Sequence, residues 1–85
     1  MKSFTYVIKD ELGIHARPSA LLVKEAKQFT STITLECGEK KAVAKGLVGV
    51  MGMAVKQGNE VVVSAEGDDE DVAIAALEAF FNANL

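Results

Sequence analysis

The chain has 85 residues, one histidine, and a single arginine two positions after it. The pair lies in Gly13-Ile14-His15-Ala16-Arg17-Pro18-Ser19-Ala20. Neutral imidazole is a competent nucleophile near neutral pH, and a guanidinium fork matches phosphate oxygens in pairs. Pro18 suits the first turn of a helix, where the N–H it lacks would have no intrahelical partner. After it, Ala20, Leu21, Leu22, Val23, Ala26 and Phe29 return to one side at helical spacing. A helix starting near Ala16 aims its free N–H groups, the positive end of its dipole, back at His15. Such a terminus seats phosphate readily and favours the neutral, nucleophilic imidazole. A lone histidine ahead of a helix is more often a surface or capping residue; Arg17 and Pro18 in register bring the two readings level, and the short motif does not decide between them. The spacing predicts a histidine that carries a phosphoryl group. His15 and Arg17 are the catalytic residues, and His15, Ala16 and Arg17 hold the phosphoryl oxygens through backbone amides and guanidinium.

The elements that must position this group follow from periodicity. Residues Ser3 to Lys9 alternate, with Phe4, Tyr6 and Ile8 on one side, which predicts a strand with one buried face. The first helix is expected from about Ala16 to Gln28. Residues Thr30 to Glu36 are rich in β-branched side chains and predict a strand with Ile33 and Leu35 inward. Cys37-Gly38-Glu39-Lys40 reads as a hairpin turn, and Lys41 to Ala44 as a short third strand. A short helix is expected from Gly46 to Ala54, although Gly49 and Gly52 each weaken it by up to about 1 kcal/mol. Its apolar residues are too many for one buried stripe, so some must lie at the surface. A turn at Gln57-Gly58-Asn59 leads to a strand from Glu60 to Ala65, with Val61 and Val63 inward and Val62 opposite. The last helix, about Glu70 to Phe81, buries Ala73, Leu77, Phe80 and Phe81, with Ile74 alongside. The carboxylates of Asp68, Asp69, Glu70 and Asp71 cap its first turn, where the dipole favours them. They lack the spacing of a calcium loop. The order β-α-β-β-α-β-α with one-sided strands predicts an α+β open-faced sandwich: a four-stranded antiparallel sheet with three helices on one face.

Composition bounds the remaining possibilities. Residues 1–85 make one domain with an aliphatic core, given four phenylalanines, one tyrosine and no tryptophan. One cysteine, Cys37, excludes an internal disulfide and a cysteine-based zinc site. Neither a metal nor another cofactor is implied. No continuous apolar stretch marks a signal peptide or a membrane span, so a cytoplasmic protein without membrane insertion is expected. The net charge of −3 is unevenly spread: all nine basic residues fall between Lys2 and Lys56. This balance argues against nucleic-acid binding. It leaves a local positive patch of Arg17, Lys24, Lys27 and Lys45 that suits an acidic protein partner.

Along its whole length the chain resembles the HPr family, the histidine-containing phosphocarriers of the bacterial phosphoenolpyruvate-dependent sugar phosphotransferase system, and most of all its Gram-positive branch. Gly13-Ile14-His15-Ala16-Arg17-Pro18 is similar to the family's active-site motif. Val48-Gly49-Val50-Met51, the turn at Gln57-Gly58, and Ser64-Ala65-Glu66-Gly67 fall where the family has similar runs. The resemblance implies that His15 accepts a phosphoryl group at Nδ1 from phosphorylated enzyme I and passes it to enzyme IIA components of sugar transporters. Arg17 would hold the group in transit. Leu47, Val48 and Met51 match the family's exposed apolar patch, which with Arg17, Lys24 and Lys27 would meet both partners. The product is a phosphohistidine carrier rather than a stand-alone enzyme, and a monomer is expected.

Two departures stand out. In the Gram-positive branch the residue before Leu47 is a serine phosphorylated by a regulatory kinase; here it is Gly46, which offers no hydroxyl. Ala54 stands where many relatives have glycine, which bears on how the second helix ends. Two rival readings remain. One is a regulatory module binding through the Leu47 patch without phosphotransfer. The other is a small RNA-binding α+β domain, which would need exposed strand aromatics, whereas Phe4 and Tyr6 share the face assigned to the core.

Overall fold

Alternation of apolar and polar side chains makes the sheet one-sided. The computed structural model describes residues 1–11, Ile14 and residues 16–85, with only the main chain of Ala16. Its elements are β1 (Lys2–Val7), α1 (Ala16–Ala26), β2 (Thr32–Cys37), β3 (Lys40–Val43), α2 (Leu47–Gly52), β4 (Glu60–Glu66) and α3 (Glu70–Asn84). The strands form one antiparallel sheet in the order β1-β4-β2-β3. One row of paired residues, Phe4, Val63, Leu35 and Ala42, runs across all four strands on the core face. The next row, Thr5, Val62, Glu36 and Lys41, lies on the open face. All three helices cover the core face, giving the open-faced sandwich that the alternation predicts.

The core is aliphatic, built on Ile8, Leu22, Ile33, Leu35, Val50, Val61, Val63 and Leu77, all essentially buried. Phe81 closes it between Phe4 and Tyr6, whose rings meet it edge-on at 5.7 and 5.5 Å. Truncating such a ring typically costs about 3–5 kcal/mol. Phe80 was expected to be buried but is only half-buried, meeting Phe81 edge-on at 6.2 Å. Phe4 and Tyr6 lie against the core rather than on the open face, as the sequence pattern requires.

The strands and α2 differ from expectation by one or two residues at their ends, and three further differences concern α1 and α3. First, α1 ends at Ala26 because the chain tightens: Gln28 and Phe29 donate to the carbonyls of Glu25 and Ala26, three residues back. Its buried stripe is Ser19, Leu22, Val23 and Ala26, so Ala20 and Leu21 face solvent. Second, α3 continues past Phe81 to Asn84, where the amides of Asn82 and Asn84 donate to the carbonyls of Glu78 and Phe80. Third, Asp69 occupies the N-cap position of α3 but makes no cap hydrogen bond. Its carboxylate instead accepts the Thr30 and Ser31 N–H groups at 2.9 and 3.0 Å, and also the Ser31 hydroxyl. This pins the link between α1 and β2 to the start of α3. Glu70 accepts the Gly67 N–H at 3.2 Å and pairs with the N-terminal ammonium at 3.0 Å. Gly67 allows the close approach, since a Cβ there would lie 2.7 Å from Ser31 Cα.

The Ser31 hydroxyl, followed by the Thr30 N–H, holds the Asp69 carboxyl below its ordinary value. A group with a depressed folded pKa stabilises the fold above its unfolded pKa, and that contribution disappears as pH falls through the folded value. Asp69→Asn should therefore lower Tm at neutral pH. It should also flatten the fall of Tm that the wild-type protein shows between about pH 5 and pH 2, measured by circular dichroism melts across that range.

Candidate functional site

The site is set where the segment between β1 and α1 meets the connector from α2 to β4. Ile8 donates to the Asn59 carbonyl at 3.0 Å and accepts from Gly58 at 2.9 Å. Gly58, at φ 87°, turns the connector back so that this exchange closes. Ile14, buried in the core, donates to the Val55 carbonyl at 3.1 Å. Lys9 and Asp10 donate to the main-chain oxygen of Leu85 at 2.7 and 2.9 Å. The loop that carries the expected acceptor is thus tied at both ends.

His15 lies outside the described residues, as does the side chain of Ala16. The helix begins at Ala16, as expected, and its first turn holds no acidic residue. Arg17 is exposed and forms no salt bridge among the described residues. Pro18 is buried in the first turn, where its missing N–H costs nothing. The start of this 11-residue helix carries first-turn N–H groups that suit an anion, and Arg17, its second residue, is exposed.

Arg17, Lys24 and Lys27 are all exposed, with Arg17 and Lys24 on the face of α1 opposite its buried stripe. Lys45 does not join them: its ammonium donates to the Phe29 carbonyl at 2.7 Å, just beyond the C-terminal end of α1. On α2, which packs against α1, Val50 is buried while Leu47, Val48 and Met51 are 40%, 87% and 45% exposed. The surplus of apolar residues read from the sequence is therefore at the surface. Leu21 extends the apolar surface of α1, at 43% exposed, and was missed because it was counted into the buried stripe. The N–H of Ile14 and the carbonyl of Val55 were also missed, since no sequence pattern marks a main-chain contact between distant segments.

The family model described as "PTS HPr component phosphorylation site" matches residues 2–83. The chain is 44% identical over 78 residues to the phosphocarrier protein HPr of Mycoplasma capricolum, covering 92% of this chain and 88% of that protein. It is also similar to the crystal structure of HPr-C-His from Thermoanaerobacter tengcongensis, with a TM-score of 0.92 and 48% identity, covering 98% and 93% of the two chains. A second similar structure is Crh, the catabolite repression protein of Bacillus subtilis, at a TM-score of 0.78 and 39% identity, covering 100% and 98%. The matched family model and these relatives define a class of small phosphoryl-carrying proteins built on the open-faced sandwich. The chain belongs to the HPr family, the phosphocarriers of the phosphotransferase system.

One residue in the first turns of α1 serves neither site nor core well. The Ser19 hydroxyl is fully buried and has no hydrogen-bond partner among the described residues. Leaving such a group unsatisfied costs about 1–3 kcal/mol. Ser19→Ala should therefore raise stability by about 1 kcal/mol, read as a higher urea midpoint at unchanged m-value.

Proposed function

We propose that this chain, acting as one carrier domain and as a cytoplasmic monomer, accepts a phosphoryl group on Nδ1 of His15 from phosphorylated enzyme I. It then delivers the group to enzyme IIA components of sugar transporters. The single observation that supports the reading most is the start of α1 at Ala16, immediately after His15, with Arg17 exposed and no carboxylate in the first turn. The lone pair of Nδ1 forms the new N–P bond as the donor's N–P bond breaks, and that electron pair returns to the donor nitrogen. The helix-mouth amides and Arg17 balance the charge on the transferred group. A carrier must also release its cargo, and one guanidinium at an open helix end stabilises the phosphoryl group without trapping it. Leu47, Val48 and Met51 form the apolar centre of the docking surface, with Arg17, Lys24 and Lys27 meeting an acidic rim.

The likeness to Crh favours a second reading, regulation by docking through the same patch without phosphotransfer. Incubation with phosphoenolpyruvate, magnesium and enzyme I separates the two, because only a carrier accumulates acid-labile phosphate. His15→Ala should abolish that uptake, and phosphorus NMR should place the group on Nδ1. Arg17→Ala should keep the fold and slow transfer by about ten- to a hundredfold, the worth of a hydrogen bond to a charged group. Unchanged rates would remove Arg17 from the mechanism.

Gly46, at the N-cap of α2, carries no acceptor for a serine kinase. Ser19 and Ser31 are buried and Ser64 is half-buried on the open face, so none of the three replaces it at the patch. HPr kinase with ATP should leave the protein unlabelled, while Gly46→Ser should restore labelling, followed by mass spectrometry.

A further inference from the structure

Ala54 is the one residue other than glycine with a positive φ among the described residues, at 51°. The left-handed well of an L-residue is small and steep because Cβ crowds the main chain, whereas glycine ranges widely there. An alanine stays in that well only where the surrounding structure holds it. Both neighbours do so: Met53 and Val55 are buried in the core, at 4% and 3% exposure. The Met53 carbonyl accepts the Lys40 ammonium at 3.2 Å, and the Ala54 N–H closes the end of α2 onto the Met51 carbonyl at 3.2 Å. One residue further on, the Val55 carbonyl takes the Ile14 N–H at 3.1 Å. The strained residue thus stands between the helix that carries the apolar patch and the carbonyl that braces the neighbour of His15 in sequence.

We propose that Ala54 is a stiff joint, a positioning residue that fixes Ile14, the residue before His15 in sequence, relative to Leu47, Val48 and Met51. A six-residue helix without a side-chain cap has little rigidity of its own, so stiffness must come from its ends. A partner seated on the patch then meets the residue before His15 at a set distance. This functional consequence rests on the phosphocarrier reading, whereas the mechanical claim does not.

The test compares Ala54→Gly with Ala54→Asn. Glycine relieves the strain but widens the well; asparagine tolerates the left-handed conformation and keeps a Cβ. Hydrogen exchange of the unphosphorylated protein reads the joint through the Ile14 amide, with β4 amides as the reference for global unfolding. In Ala54→Gly, Ile14 exchange should rise relative to β4 by about two- to fivefold, the population equivalent of glycine's extra freedom. Ala54→Asn should restore the wild-type ratio. In phosphoryl uptake from the phosphorylated donor protein, Ala54→Gly should lower kcat and leave KM unchanged, because the patch itself is intact. Exchange at Ile14 and β4 changing by one common factor would overturn the proposal, as would an unaltered kcat. Failure of the wild-type protein to take up phosphate on His15 would overturn the carrier reading instead, while the exchange ratio would still decide the joint.

Discussion

A sheet covered on one face only constrains everything else in this protein. With the open face turned to solvent, all three helices must find burial on the single core layer formed by Phe4, Leu35, Ala42 and Val63 and their neighbours. The shared layer has room for one narrow stripe per helix. On α1 that stripe is Ser19, Leu22, Val23 and Ala26, and on α2 it is little more than Val50. The remaining apolar residues of α1 and α2 have nowhere to go but outward. Leu21, Leu47, Val48 and Met51 are exposed for this reason, on two helices that pack against each other. This exposed apolar surface is thus a geometric by-product of the one-sided sheet.

The strands and the order of elements were legible because side-chain alternation is a local signal and the sheet has one wet face. Ile33, Leu35, Val61 and Val63 could be assigned inward from spacing alone, and all are fully buried. The stripe of α1 was harder. Ala20 and Leu21 are apolar and Ser19 is polar, so hydropathy pointed to the wrong side by one position. What decides the face is the i, i+3, i+4, i+7 set anchored by Leu22 and Ala26, and Ser19 is carried inward by its place in that set. For the site, the helix start and the exposed Arg17 could be read from Pro18 and the motif. The brace from Ile14 to Val55 could not, because main-chain contacts between distant segments leave no trace in side-chain types.

Asp69 shows a related limit. Carboxylates ahead of a helix are normally read as caps, and the dipole argument makes no distinction between Asp69 and Glu70. The structure separates them by reach. Gly67 lets the chain pass within contact of Ser31, which brings the N–H groups of Thr30 and Ser31 into range of Asp69. Three donors from another segment hold Asp69 there, while Glu70 takes the Gly67 N–H and the N-terminal ammonium. A tertiary close approach, permitted by a missing Cβ, thereby reassigns a side chain whose sequence context suggests only local work.

The two ends of α2 carry opposite departures from helix-end chemistry. At its start Gly46 is extended, with φ −109° and ψ 107°, and has no side chain to satisfy the first-turn N–H groups. Past its end, Ala54 occupies a left-handed conformation in which glycine would be unstrained. A segment of six residues with one glycine inside it and another as its last residue cannot be helical on local preference. It persists because Val50 and Met53 are buried, the Gly46 carbonyl accepts the Val50 N–H, and Lys40 holds the Met53 carbonyl. The patch is therefore presented by tertiary anchors at one buried edge, and its outer residues, Val48 above all, are free to repack. Firmness is confined to that buried edge and to the residues that follow α2, where Met53 and Val55 are both buried.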